Sequence, residues 1–330
     1  MNELFQDDIF HELEDFLPSC KIVLKLESYN VGGSIKMKTA LALIDDLERR
    51  GRLLANSTLV ESSSGNLGIA MAILCARKGL HFVCVMDPNS SPCSRQIIRS
   101  YGASLVLCDR RDSNGGFLQQ RIDLVKEMCV SDARLVWPNQ YANSANSFAH
   151  YKWTAPAIIR CHPDVDAIFV GVGTTGTLMG CAKYTREAAP TVRIVPVDSV
   201  GSVVFSRPAG IRHIPGMGSS RIPELFDSQL GGTAMFVPEI EGIYMCRFIA
   251  KRYGLLIGGS TGSVLAGVVQ AYRRGSCPRK VVVISPDSGE RYLDTIFNDS
   301  WVKERFPEFE PQSHFTSNNF SPASTHSGTV

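Results

Sequence analysis

Residues 30–36 read Asn-Val-Gly-Gly-Ser-Ile-Lys and fall where a short apolar strand pattern (Ile22, Val23, Leu24, Leu26) gives way to a helical one (Ala40, Leu41, Leu43, Ile44, Leu47). Adjacent glycines let the backbone turn tightly. The start of the following helix adds a positive potential that favours a neutral amine at Lys36 over an ammonium, and a lysine so tuned can act as a covalent catalyst. An ordinary solvated lysine opening a helix satisfies the same stretch. The segments around it therefore decide the fold and the chemistry.

From Leu59 onward, short apolar runs alternate with segments of helical period. Leu59-Val60 leads into a helix over 66–78; 82–86 reads as a strand, 95–101 as helix, 105–107 as a strand and 117–128 as helix. A second series places strands at 167–172, 193–197, 235–237, 255–257 and 281–284, with helices near 177–187, 242–253 and 263–273. This is the pattern of stacked βαβ units with parallel sheets. The length, 330 residues, exceeds what one core usually holds. The expected architecture is α/β, with two doubly wound lobes of mostly parallel sheet and a ligand cleft between them, outside the carboxyl ends of the strands. Residues 37–143 are expected to form a smaller lobe able to move, and 1–36 with 144–310 a larger one. The Ser-, Asn-, Thr- and Pro-rich stretch 311–330 reads as a disordered tail. Ser199 to Pro223, broken by glycines, Pro208 and Pro215, reads as a long functional loop over the cleft or at an interface.

Composition narrows the partners. A net charge of +2, with basic residues in short pairs such as Arg49-Arg50 and Arg110-Arg111, gives no electrostatic footprint for nucleic acid or membrane, which leaves a small molecule. The ten cysteines lie scattered in apolar segments without metal-site spacing and read as buried thiols of a reducing compartment, with no metal expected. Met1 to His11 is acidic and lacks an apolar signal core, so a cytoplasmic protein is expected. The uncharged run from Tyr253 to Tyr272 holds five glycines and reads as strand, turn and helix instead of a membrane span.

The chemistry sits in strand-to-helix turns. Residues 171–177, Gly-Val-Gly-Thr-Thr-Gly-Thr, follow a strand and precede a helix, so backbone N–H groups, threonine hydroxyls and the helix dipole would converge on an anion such as phosphate. Gly171, Gly173 and Gly176 with Asp198 also fit a dinucleotide fingerprint, which leaves a nicotinamide-dependent oxidoreductase open at this point. The turn Glu61-Ser62-Ser63-Ser64-Gly65-Asn66-Leu67-Gly68 crowds hydroxyls and an amide at a helix start, more than capping requires. Gly258-Gly259-Ser260-Thr261-Gly262-Ser263 repeats the design, and Pro286 to Tyr292 closes the last strand.

Together these segments resemble the fold-type II pyridoxal-phosphate enzymes of the cysteine synthase and cystathionine β-synthase group, whose fold is like that of the tryptophan synthase β chain. The likeness runs in unbroken order from about Lys21 to Trp301. It implies pyridoxal 5′-phosphate held by Lys36 as a Schiff base, with the phosphate on Gly173, Thr174, Thr175, Gly176 and Thr177. It also implies Asn66 against the cofactor's phenolic oxygen and Ser260 beside the pyridine nitrogen. A hydroxyl there cannot hold the nitrogen protonated, which favours prompt β-elimination over transamination. Ser63, Ser64 and Gln140 would hold the substrate α-carboxylate. Lys36 would move the Cα proton, and a nucleophile would add to the aminoacrylate left by elimination. Lys38, two residues on, would point elsewhere.

The segments 61–70, 100–103, 115–121, 139–143, 201–205, 215–225 and 291–301 are most similar to a siderophore-pathway branch of the group. That branch joins O-phospho-L-serine to L-glutamate and leads to 2,3-diaminopropionate. This implies Arg121 and Tyr141 near the leaving phosphate, with Arg221 a further anion candidate, and a homodimer. Cysteine synthase or 2,3-diaminopropionate synthase activity, with sulfide or ammonia, is the alternative. Met37-Lys38-Thr39 stands where the group usually carries an Asp-Arg pair, Leu67 where cysteine synthases carry threonine, and the usual Gly-x-Thr-Pro segment has no counterpart before Lys21.

Overall fold

The structure is a computed structural model that describes residues 4–112 and 115–311; the expected tail lies outside them except for Pro311. In chain order the elements are β1 (Phe10–Glu12), β2 (Lys21–Leu26), α1 (Lys36–Arg49), β3 (Thr58–Ser62), α2 (Asn66–Lys78), β4 (His81–Met86), α3 (Pro92–Ser100), β5 (Ser104–Leu107), α4 (Leu118–Ser131) and β6 (Leu135–Val136). Then come α5 (Ala145–Ala149), a π-helical turn (His150–Thr154), α6 (Ala155–Cys161), β7 (Ala167–Gly171), α7 (Gly176–Ala188), β8 (Arg193–Ser199), α8 (Ser228–Gly231), β9 (Met235–Val237), α9 (Glu239–Tyr253), α10 (Gly259–Arg273), β10 (Lys280–Ser285), a 3₁₀ turn (Gly289–Tyr292) and α11 (Asp299–Arg305).

The strands form two sheets, one of order β5-β4-β3-β6 and one of order β1-β2-β10-β7-β8-β9. All pairings are parallel except β1 with β2. The uninterrupted apolar run of β10 follows from burial on both faces. Val281 and Val283 pack into the core shared with α9 and α10, whereas Val282 and Ile284 pack into the one shared with α6 and α7. In the smaller sheet α1 and α2 cover one face, and Val60, Val85 and Val125 meet on the other.

One expected strand is absent. Leu255 to Ile257 forms only an isolated bridge, Ile257 with Ser288, because both edges of β10 are already taken by β2 and β7. Gly254, at φ 66, ends α9, and α10 begins at Gly259, so the connecting segment is short. Ser260 to Ser263 thus lie in the first turn of α10, not in an open loop. The thiols also depart from expectation, since Cys93 on α3 is exposed.

What anchors α1 is a buried charge cluster. Lys38, wholly buried, places Nζ 2.8 Å from Glu27 Oε1 and against Asp7, while Lys25, equally buried, lies 3.5 Å from the same Glu27 oxygen. Removing one member of such a cluster strands a desolvated charge, a loss of about 3–5 kcal/mol. Lys38→Met is therefore expected to lower the unfolding free energy by about that amount in urea titration, with Lys36 left in place.

Candidate active site

The carboxyl ends of β2, β3, β7 and β10 lead into turns that meet around one cavity between the two sheets. Lys36 opens α1 at its floor, with Ser63, Ser64 and Asn66 from the turn after β3, and Gly173 and Thr174 from the turn after β7. Arg121, Gln140 and Tyr141 complete the wall expected from sequence. Thr175, Gly176, Thr177 and Ser260 do not line the cavity but stand just behind it, at the starts of α7 and α10. The irregular segment after β8 closes one side with Pro215, Gly216, Gly218 and Ser219, as a cleft-covering loop should. Arg221 does not reach the cavity; it pairs with Glu224 at 2.6 Å.

Burial pushes the Lys36 amine down from 10.5 to about 8, an effect that the Asp287 carboxylate nearby only partly offsets. Its neighbour Lys38 is held in the opposite state, because Glu27 and Asp7 outweigh desolvation and raise it. The reading of Lys36 over Lys38 therefore has an electrostatic basis.

The turn after β7 is shaped for an anion. Thr175 precedes α7 with φ 67, a left-handed conformation rare for threonine, and its buried Oγ1 has no hydrogen-bond partner. Gly176 is forced, since a Cβ there would come within 2.2 Å of Asn146 Oδ1, and one on Gly173 within 2.7 Å of the Gly216 carbonyl oxygen. Thr177 Oγ1 lies 3.3 Å from His150 Nε2, which also meets Thr39 Oγ1 at 3.2 Å. Burial, with Lys36 and Lys38 nearby, holds His150 neutral by lowering its pKa well below the usual value.

The serine turn divides its labour differently from expectation. Ser63 carries the cap, accepting from the N–H of Gly65 at 3.2 Å and of Gly68 at 2.9 Å, and Ser64 is left at the cavity. Gln140 donates from Nε2 to the Ser62 carbonyl at 2.8 Å and to Tyr141 Oη at 3.3 Å. Behind it, Glu61 accepts from the Gln140 N–H at 3.1 Å and from Trp137 Nε1 at 2.9 Å. Its carboxyl is pushed up to about 7 by burial, against those hydrogen bonds. A glutamate inside an apolar strand pattern was the sequence signal for such a role.

Arg121, on α4, lies inside the protein and not on its solvated face. It is 7 % exposed, with Nε 3.3 Å from Asp87 Oδ2 and Nη1 lacking a hydrogen-bond partner. Ser91 and Ser94, at the start of α3, line the cavity with it. Sequence reading also passed over Asp287, Arg291 and Tyr292 individually. Tyr292 lines the cavity and donates to Asp287 Oδ2 at 2.5 Å, which also accepts from Asn66 Nδ2 at 2.6 Å.

A half-buried lysine with a depressed pKa, set in a cavity lined by glycines, with an orphaned threonine hydroxyl at a helix start behind it, fits an aldehyde cofactor that carries phosphate. The chain belongs to the pyridoxal-phosphate-dependent enzyme family, whose model matches residues 11–287, and its cofactor is pyridoxal 5′-phosphate. It is 38% identical over 283 residues to the N-(2-amino-2-carboxyethyl)-L-glutamate synthase of Ralstonia nicotianae, covering 86% of this chain and 84% of that one. It is likewise 38% identical over 286 residues to the synthase of that name from Cupriavidus metallidurans, with the same coverage. Among solved structures it resembles O-ureido-L-serine synthase, with TM-score 0.82, 28% identity and coverage of 94% and 98% of the two chains. It also resembles the O-acetylserine-dependent cystathionine β-synthase of Helicobacter pylori, with TM-score 0.81, 28% identity and coverage of 88% and 96%. The family excludes the dinucleotide reading, and Asp198 is wholly buried, out of reach of a ribose.

Only the neutral form of Lys36 can attack an aldehyde. The rate of cofactor capture by the apo-protein should therefore rise with pH and reach half its plateau near pH 8, the value set by burial, where an ordinary lysine would need about 10.4. Stopped-flow absorbance after mixing with pyridoxal phosphate measures the midpoint.

Proposed function

We propose that the enzyme catalyses β-replacement on O-phospho-L-serine with the amine of L-glutamate, giving N-(2-amino-2-carboxyethyl)-L-glutamate and phosphate. The observation that carries this reading is Arg121, a buried guanidinium at the cavity whose Nη1 has no hydrogen-bond partner. Its Nε faces Asp87 at 3.3 Å, but the Nη1 N–H groups are left without an acceptor in the interior; that calls for an anionic ligand, and a phosphate leaving group supplies one. The two relatives of that name, each 38% identical, point the same way.

When bound, pyridoxal phosphate supplies the aldehyde that captures an amine and the electron sink that acidifies Cα. The chain's residues do the rest. Gly173 to Thr177 and the start of α7 would hold the cofactor's phosphate, Asn66 would donate to the phenolic oxygen, and Ser260 would serve the pyridine nitrogen. Ser63 and Ser64 would orient the substrate carboxylate by hydroxyl donors, and Gln140, whose Nε2 already serves the Ser62 carbonyl and Tyr141, would join them by releasing the longer contact to Tyr141. Lys36, as a neutral amine, would take the substrate's Cα proton. The Cβ–O bond breaks, and phosphate leaves with the electron pair toward Arg121, with Ser91, Ser94 and Tyr141 beside it. The glutamate amine would then form the Cβ–N bond and give up one N–H proton to the departing phosphate or to water, while Lys36 returns its proton to Cα. In this reading the enzyme works in the cytoplasm as a homodimer and feeds siderophore assembly through a 2,3-diaminopropionate precursor. No helix among the described residues is long and apolar enough to cross a membrane.

Mass spectrometry of products from O-phosphoserine with glutamate, sulfide and ammonia in competition should show the glutamate adduct as the main product; a dominant cysteine or diaminopropionate signal would replace this reading with its alternative. Arg121→Met should lower kcat/KM for O-phosphoserine about a hundredfold, the worth of charge-assisted hydrogen bonds to phosphate, and spare O-acetylserine turnover.

A further inference from the structure

Asn66 opens α2 beside the smaller sheet, whereas Asp287 and Arg291 follow β10 of the larger one, yet the three side chains meet at the edge of the cavity, which Asn66 itself lines. Asn66 Nδ2 donates to Asp287 Oδ2 at 2.6 Å, and Arg291 Nη1 donates to Asn66 Oδ1. Each end of the amide thus faces the charge that suits it. A rotation exchanging Oδ1 and Nδ2 would set oxygen against carboxylate and N–H against guanidinium, losing both bonds and adding two repulsions.

Both charged partners are themselves held. Tyr292 Oη donates to Asp287 Oδ2 at 2.5 Å, and a Cβ at Gly258 would sit 1.9 Å from Asp287 Oδ1, so only glycine there admits the carboxylate. Arg291 Nη2 donates to the Gly32 carbonyl oxygen at 2.7 Å. Gly33, at φ +63, leaves the space through which the guanidinium passes, since a Cβ there would lie 2.4 Å from Nη2. The glycine pair before Lys36 therefore does more than turn the chain, because it lets a residue 259 positions away from Gly32 reach the amide.

We propose that Asp287 and Arg291 are positioning residues that clamp the Asn66 amide in one orientation, and so make cofactor capture depend on contact between the two lobes. The inference extends the cofactor site and stands whichever nucleophile the enzyme uses. An amide free to rotate would present its oxygen to the cofactor's phenolic oxygen half the time, two acceptors in repulsion. The clamp removes that state.

The test is a double-mutant cycle on apo-protein, titrated with pyridoxal phosphate and read by visible absorbance. Asp287→Ala and Arg291→Met should each weaken cofactor binding about tenfold and shift the visible band, as expected for coupled neighbours. In an Asn66→Ala background, which removes the clamped group, the same substitutions should change affinity less than about twofold. Asp287→Asn, which keeps the shape and one acceptor but adds a donor able to serve either amide orientation, should shift the band in the same direction and guards against failed folding of the alanine variant. Equal losses with and without Asn66 would show that Asp287 and Arg291 only support the fold and would overturn the clamp. So would an unchanged band and affinity in the single variants.

Discussion

The structure depends on keeping one amine out of water without giving it a salt bridge. Lys36 is placed by the turn after β2, by the start of α1 and by the packing of both sheets around it, and burial alone accounts for most of its depressed pKa. Had Glu27 faced it, the amine would be pinned as an ammonium, which is the state of Lys38 two residues along the helix. The fold separates these two lysines by giving the carboxylates to one and the cavity to the other. Asp287 lies close enough to Lys36 to oppose desolvation in part, but it is engaged by Tyr292 and Asn66.

Much of this order was legible because periodicity and turn chemistry are local. The helix over 66–78 has the bounds its apolar period implied, and β4, β5, β8, β9 and β10 lie where short apolar runs sit between turn signals. The strand that failed, at Leu255 to Ile257, failed for a non-local reason: an apolar run becomes a strand only if a sheet edge is vacant, and β10 has none. The substrate side of the site was legible in residue type but not in state. Nothing in the spacing of α4 tells whether Arg121 faces water or Asp87, and Asn66 and Asp287 are 221 residues apart.

The residues after Lys36 illustrate how departures from a family pattern are absorbed. Thr39 Oγ1 donates to Asn146 Oδ1 at 3.2 Å, and Asn146 Nδ2 donates to Thr174 Oγ1 at 3.2 Å and to the Gln140 carbonyl at 2.7 Å. His150, at the head of the π-helical turn, ties Thr39, Thr154 and Thr177 into the same network. A π-turn inside a helix commonly marks a functional position, and here it sets an imidazole against Thr177 at the start of α7. The segment Met37-Lys38-Thr39 thus connects the lysine helix to the loop that would bind the cofactor's phosphate.

The central claim is that Lys36, and no other lysine, carries the cofactor. Borohydride reduction of the holoenzyme makes that linkage permanent, and peptide mapping by mass spectrometry then locates the added pyridoxyl group. The label should fall on Lys36 alone, with Lys38 unmodified. A label on Lys38 or another lysine, or none at all, would contradict it.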